Sequence, residues 1–258
     1  VGVESGGQGY AAADIGRRFG DDGENGIRIN AARRSGGTAI DDERRRLDVL
    51  AVGLDHRGSN FRLSADIGHQ DHDIDEPRPN VTPTGAAPSA PDASDNFAQS
   101  WTFSKERQTF ATFRGELDLS DDVTAWAAAG VRDGDEKNRL ANPRATPDGS
   151  TTAYRFDNVR EDTVSTAYAF SDFAGFASDL NNPVDVTPPD ADFFTGGSLS
   201  SPRVTERTST RSVALADTMG FMDERLLVTV GARHQTIAQR GYNYNTGAKE
   251  SDYDKSEV

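Results

Sequence analysis

The chain contains no cysteine, and only 34% of its 258 residues are hydrophobic. The absence of cysteine excludes disulfide bridges, thiolate metal ligands and cysteine nucleophiles. The low apolar fraction argues against an ordinary globular core, because few side chains are available to fill one. No apolar run approaches the ~18 residues that a membrane-spanning helix requires, so a helical membrane protein is excluded.

Positive charge is also scarce. The chain has 28 Lys and Arg residues against 42 Asp and Glu residues, which gives a formal net charge of −14. Nucleic acid is therefore not an expected partner, since phosphate binding requires clustered Lys and Arg side chains.

Signals for catalysis or metal binding are weak. Asp71, Asp73 and Asp75 have the spacing of the start of a calcium loop, but Glu76 and Thr82 occupy the positions where Gly and the last Glu are required. The four histidines are scattered, and no Gly-x-Ser-x-Gly elbow occurs. We therefore predict no catalytic residues, no cofactor and no metal site, and we do not expect an enzyme.

Alternation of apolar and polar residues is the dominant pattern. In FRLSADIG the apolar side chains fall on one face, and Arg62, Ser64 and Asp66 fall on the other. The same period of two recurs in GIRINAARRSG, ATFRGELDLS, AWAAAGV and LLVTVGAR. Helical spacing does not persist anywhere, so we predict an all-β chain of about nine or ten antiparallel strands.

The connections between these strands are of two kinds. DDGENG and HRGSN have the Gly, Asp and Asn of tight turns. Long polar loops are predicted near 75–99, 139–152 and 181–203. The rough alternation of short and long connections is typical of a transmembrane β-barrel, whose strands need ~9–11 residues to cross the bilayer.

The two strand faces differ in a way that suits a barrel. The apolar faces are rich in Ala, with aromatic residues towards the strand ends, whereas the opposite faces carry both signs of charge. Lipid can fill the gaps that a packed core would have to fill, and a barrel lumen can be polar. A soluble β-sandwich binding domain and a passive outer-membrane porin remain open at this point.

Two separated blocks resemble a known family. YAAADIGRRFG, then GIRINAARRSG and LAVGLDHRGSNFRLSADIGHQ, resemble the first barrel strands of TonB-dependent siderophore receptors of the ferrichrome-receptor type. SVALADTMGFMDERLLVTVGARHQTI is similar to a later block of the same family. The resemblance runs from about residue 10 to residue 245 and is weakest between 152 and 203.

The resemblance implies an outer-membrane transporter for ferric siderophores, energised by the TonB complex through an N-terminal plug. We expect residues 1–258 to be part of the barrel domain, without that plug, and to contact outer-membrane lipid. Siderophores in the family meet aromatic side chains near the extracellular loops. The corresponding candidates here are Trp101, Phe103, Tyr242 and Tyr244, with a role in the aromatic girdle as the alternative for the first two.

Overall fold

The computed structural model describes residues 1–120, 123–161, 165–171, 175–190, 197–222, 225–243 and 245–257. These residues form one sheet of fourteen strands and a short 3₁₀ turn at Ser5–Gly7. The strands are β1 (Gly2–Val3), β2 (Gly9–Phe19), β3 (Asn25–Gly37), β4 (Arg44–Arg57), β5 (Phe61–Asp75), β6 (Thr82–Pro83), β7 (Phe103–Ser120), β8 (Val123–Ala145), β9 (Ser150–Glu161), β10 (Ser165–Ser171), β11 (Phe176–Asp179), β12 (Glu206–Phe221), β13 (Leu226–Tyr242) and β14 (Lys249–Glu257).

The long strands pair with their neighbours in chain order, and all of these pairs are antiparallel. β11 continues the line of β10 along β9, and the two-residue strand β6 pairs with β8 in parallel. The predicted all-β antiparallel fold is confirmed. The fourteen described strands exceed the nine or ten predicted, and β1, β6 and β11 account for three of the extra strands, because they are too short to give a periodic pattern.

The strands end on two opposite sides of this sheet, and the connections on these two sides differ. Residues 20–24 join β2 to β3, and residues 58–60 join β4 to β5. Both turns lie on one of these sides, which we call the lower edge. Gly20 and Gly23 have φ angles of 97° and 65° there, a conformation that glycine adopts without a steric penalty. The opposite side, which we call the upper edge, carries the long connection 76–102 and the described residues 180–190 and 197–205 between β11 and β12.

The long loop predicted over 139–152 is wrong. Residues 139–145 continue β8, and β9 begins at Ser150, so only a four-residue turn at 146–149 separates the strands. The Thr146 amide donates to the Ser150 carbonyl at 2.9 Å and closes this turn. Pro143 and Asp148 gave the segment the composition of a loop, but the pairing with β9 extends the strand through Pro143.

Apolar side chains of the sheet line up across the strands and stay exposed. One row of Cα partners consists of Ile15, Ile29, Val52, Ile67, Ala111 and Val131. Ile15, Ile67 and Val131 are 63%, 55% and 64% exposed. We call this side the apolar face. Among the described residues the buried apolar side chains are Ala141, Ala145, Ala153, Val159 and Leu180, so this sheet does not enclose a conventional core.

A row of charged residues marks the limit of the apolar face. On each strand it lies four residues closer to the upper edge than the apolar row. Its members Arg33, Asp48, Asp71, Arg107 and Asp135 are again Cα partners across five strands. Arg33 pairs with Asp48 and Arg107 with Asp71, at 3.1 and 3.2 Å. Four residues span ~13 Å of strand, about half the ~25 Å height of the apolar band on a transmembrane barrel.

None of the helices among the described residues is long and apolar enough to cross a membrane.

Candidate functional site

The other side of the sheet, which we call the polar face, is lined near the lower edge by ion pairs. Arg28 of β3 donates from Nη2 to Asp14 Oδ2 on β2 at 2.6 Å. Arg18 of β2 reaches Asp55 on β4 at 2.8 Å and also donates from Nε to the Gly23 carbonyl at 2.7 Å. These contacts tie three strands and the first turn together.

A second network continues this pattern on β5, β7 and β8. Arg62 donates to Glu116 at 2.6 Å and to both carboxylate oxygens of Asp118 at 3.0 Å. Arg114 donates to Glu116 at 2.8 Å, and its guanidinium carbon lies 4.5 Å from the centre of the Trp126 ring. The lower polar face is therefore densely charged and satisfies its own hydrogen bonds.

The upper part of the polar face has a different character. Arg34, His72 and Glu106 lie in one row of the sheet, which Leu47 completes on β4. Arg45 lies two residues from Leu47, closer to the upper edge. The Arg34 guanidinium lies 5.6 Å from the Tyr10 ring centre and 3.2 Å from a carboxylate oxygen of Glu4.

His72 is half-buried on this surface. It faces the same side of the sheet as Arg45, which is two residues before its Cα partner Leu47 on β4. An imidazole ring can take part in a hydrogen bond through either of its two nitrogens. The upper polar face is thus the part of the described sheet whose chemistry suits a polar ligand.

Two segments of the upper-edge loops are joined by a set of hydrogen bonds that we call the clasp, formed by residues 99–101 and 184–186. The Gln99 side chain donates to the Val184 carbonyl and accepts from the Val186 amide, both at 2.9 Å. Ser100 donates its amide and hydroxyl to Asp185, and Trp101 donates its indole N–H to the Val186 carbonyl at 2.8 Å. Gln99 is only 1% exposed, so water cannot readily replace these partners.

Glu76 lies beside the clasp, at the start of the loop 76–102. Its amide donates to the Thr102 carbonyl at 3.0 Å, and its carbonyl accepts from Asn96. Burial raises the pKa of Glu76, and the nearby carboxylates of Asp42 and Asp185 raise it further.

A buried carboxylate supports the strands next to the clasp. Asp157 of β9 is fully buried and accepts from Arg139 and Arg155 at 2.9–3.1 Å. Arg155 also donates to the Pro189 carbonyl at 2.5 Å, which fastens the loop after the clasp to β9. Arg139 further lies over the Phe103 ring, 5.9 Å from its centre.

The structure describes three of the four aromatic residues predicted from the sequence, and it places these three apart from one another. Trp101 is part of the clasp and packs edge-on against Phe176 at 6.3 Å. Phe103 shares its strand face with Arg107 and Phe113, so it lies on the apolar side above the charged row. Tyr242 ends β13, which β8, β9, β10 and β12 separate from β7 in the sheet, and Tyr244 lies outside the described residues.

Sequence reasoning missed the residues of the upper polar face. Arg45 stands inside the run RRR at 44–46, and only the strand register reveals that it faces away from Arg44 and Arg46. The alternation of β4 did not reveal this, because Leu47 and Val49 share the polar face with Arg45 while Asp48 lies on the apolar side. Gln8 precedes β2 and Tyr10 is the second residue of that strand, so neither lies within a clear alternating pattern.

No protein-family model matches the chain. The ferrichrome receptor FcuA of Yersinia enterocolitica is 29% identical over 93% of this chain, which spans 35% of that receptor. The ferric preacinetobactin receptor BauA of Acinetobacter baumannii matches 99% of this chain and 42% of its own, with 25% identity and a TM-score of 0.76. The ferric-catecholate import receptor Fiu of E. coli, in its open form, matches 99% of this chain and 49% of its own, with a TM-score of 0.67.

At 14% identity the Fiu match supports the fold alone. The resemblance predicted from the sequence is confirmed: over nearly its whole length the chain is similar to part of the barrel of TonB-dependent siderophore receptors. The chain spans between about a third and a half of the length of these relatives.

Proposed function

We propose that this chain forms part of the barrel wall of a TonB-dependent outer-membrane receptor that takes up a ferric siderophore. The observation that carries this proposal is the similarity to a ferrichrome receptor over 93% of the chain, in agreement with the fold of a ferric preacinetobactin receptor. Such a protein is a transporter and not an enzyme.

The apolar face is the surface that would contact outer-membrane lipid. Its exposed row of Ile and Val side chains is bounded by paired charges, and an apolar band with polar limits is what a bilayer selects. A soluble sandwich would instead bury such a row in its core. This difference disfavours the alternative of a soluble β-sandwich binding domain.

The polar face would line the lumen. Its lower ion pairs would face the plug domain that receptors of this family carry before the barrel, and through which the TonB complex acts. The ligand would be met higher up, near the upper-edge loops. There the clasp would hold Trp101 in place, and Tyr242 would lie at the end of β13 beside a separate loop. Phe103, which lies on the apolar side, would instead belong to the aromatic girdle.

Uptake by cells tests this function. The full-length protein would be produced in a strain without its own ferric siderophore receptors, and the entry of radioactive iron bound to ferrichrome or preacinetobactin would be measured. We expect saturable uptake of one of these chelates that disappears when the energy-transducing complex is deleted. Uptake that is unchanged by this deletion would instead support a passive porin.

A further inference from the structure

The hairpin formed by β8 and β9 extends beyond the neighbouring strand β7. Arg139 is the last residue of β8 that pairs with β7, whereas β8 continues to Ala145. About 33 Å of strand separate Ala145 from Asp135 of the charged row, so the end of the hairpin lies well above the apolar face. A two-stranded hairpin is only marginally stable in water by itself, and it needs a surface to pack against.

One side of this hairpin is buried. Along β9 every second residue is buried from position 151 to position 159, as expected when only one side of a strand is covered. These buried residues are Thr151, Ala153, Arg155, Asp157 and Val159. Asp157 is the Cα partner of Arg139, which lies on the same side of β8 as Val131 of the apolar row. The buried side of the hairpin therefore continues the apolar face upward.

The cover consists of the clasp and the loop residues 180–190. Arg155 donates to the Pro189 carbonyl at 2.5 Å from the buried side of β9. Phe176 is paired with β9 on the same side, and its ring contacts the ring of Trp101 in the clasp. Both loop segments are thus attached to the side of the hairpin that continues the apolar face.

The opposite side of the hairpin continues the polar face. Asn142, Arg144 and Thr152 are exposed on this side. The Arg144 guanidinium lies 5.4 Å from the ring centre of Tyr154, which shares this side. Loops therefore cover one side of the hairpin, whereas solvent reaches the other.

We infer that residues 99–101 and 180–190 form a brace on the lipid side of the receptor wall, above the bilayer, which the clasp holds closed, and that they are not a gate over the lumen. This inference rests on the proposed function, which assigns the apolar face to lipid and the polar face to the lumen. A swing of these loops over the lumen would separate Arg155 and the buried Gln99 from their acceptors. Buried polar groups without partners are strongly disfavoured, so the covered arrangement is the stable one.

Cysteine labelling of intact cells tests whether the brace covers this side. The chain has no cysteine, so Ala153→Cys and Thr152→Cys can be introduced one at a time into a full-length protein without other cysteines. Ala153 is 4% exposed, whereas Thr152 is exposed on the opposite side. With a maleimide that does not cross membranes, we expect Ala153→Cys to react about tenfold more slowly than Thr152→Cys, because a covered thiol reacts only when the cover opens. Equal rates would overturn the brace.

Gln99→Leu tests whether the clasp holds the brace closed. The variant keeps a side chain of similar size and removes two hydrogen bonds to the loop residues 184–186. In this background we expect Ala153→Cys to react several-fold faster. Gln108→Leu makes the same change on the polar face of β7 and should leave the slow rate as it is.

A second variant covers the case in which Gln99→Leu does not assemble. Asp185→Ala removes both hydrogen bonds of Ser100 in the clasp, and we expect it to speed the labelling of Ala153→Cys as well. If the rate stays slow in both clasp variants, the clasp does not hold the loops and the inference is wrong.

Uptake by labelled cells tests the side on which the brace lies. A bulky polyethylene glycol maleimide is attached to Asn182→Cys on the brace or to Thr152→Cys on the opposite side, since both positions are exposed. We expect the label at position 152 to lower the uptake of ferric ferrichrome or ferric preacinetobactin several-fold, and the label at position 182 to change it less than twofold. The reverse pattern would place the brace over the lumen and overturn the inference. If the unlabelled protein takes up neither chelate, the proposed function fails, while a protected Ala153→Cys still supports the cover.

Discussion

Arg18 and Asp55 are joined by a 2.8 Å ion pair although a whole strand separates them in the sheet. Their guanidinium and carboxylate meet above Gly26 of β3, which is the Cα partner of both residues. A methyl group at Gly26 would overlap the Asp55 carboxylate and lie 3.0 Å from Arg18 Nη1. The contact therefore depends on the missing side chain of the strand between.

Gly26→Ala is expected to destabilise the protein by about 1 kcal/mol, because the new methyl group displaces the ion pair and the exposed ends of the Arg18 and Asp55 side chains can move away from it. The pair itself contributes at most about 1 kcal/mol, since both side chains are more than a third exposed. Gly16→Ala is the control, because its methyl group would meet nothing closer than 3.9 Å. The measurement is the free energy of unfolding of the full-length protein in lipid vesicles. In an Asp55→Ala background the cost of Gly26→Ala should fall by half or more, and an unchanged cost would contradict the steric explanation.

The buried Asp157 is expected to matter far more than the exposed Asp48. Asp157→Asn leaves Arg139 and Arg155 without their charge partner in a buried place, which costs about 3–5 kcal/mol. Asp48→Asn removes only an exposed pair with Arg33 and should cost less than about 1 kcal/mol. Thermal unfolding of the two variants, followed in parallel, checks the difference. Equal losses of stability would mean that the fully buried position of Asp157 is wrong.

The sequence predicted the faces of the sheet well where alternation is strong. Ile29 and Ile67, which the alternation places on the apolar faces of their strands, lie on one face of the sheet, because a period of two fixes the side of a strand. The clasp could not be predicted in this way. Gln99 and Val184 are 85 residues apart, and their contact depends on the path of two loops that have no periodic pattern.

The clasp is expected to loosen as the pH rises. Burial and nearby carboxylates raise the pKa of Glu76 above its ordinary value of 4.5, so the folded state binds a proton that the unfolded state has already lost. The stability from this group is fully present below that ordinary value and is lost as the pH rises through the raised pKa. Ionised Glu76 then repels Asp185, the partner of Ser100 in the clasp.

Hydrogen exchange of the Val186 amide, corrected for its intrinsic pH dependence, measures this effect, because that amide donates to Gln99. We expect protection to fall with rising pH in the wild type. Glu76→Gln cannot ionise, so protection in this variant should stay at one level over the same range. A fall of the same size in both proteins would exclude Glu76 as the responsible group.

Arginine substitutions on the two faces of the sheet test which side meets lipid. Ile67 belongs to the exposed apolar row, while Thr112 lies on the polar face as the Cα partner of Asp66, the residue before Ile67. Ile67→Arg should cost about 2–4 kcal/mol of folding free energy in a bilayer, because the charge would lie near the middle of the hydrocarbon. Thr112→Arg adds the same charge to a wet surface next to a carboxylate and should be nearly neutral. Urea unfolding in lipid vesicles, with the yield of protein assembled in the outer membrane as a second readout, separates these outcomes. If both variants assemble and unfold alike, the apolar face does not contact lipid and the membrane orientation proposed for this sheet is wrong.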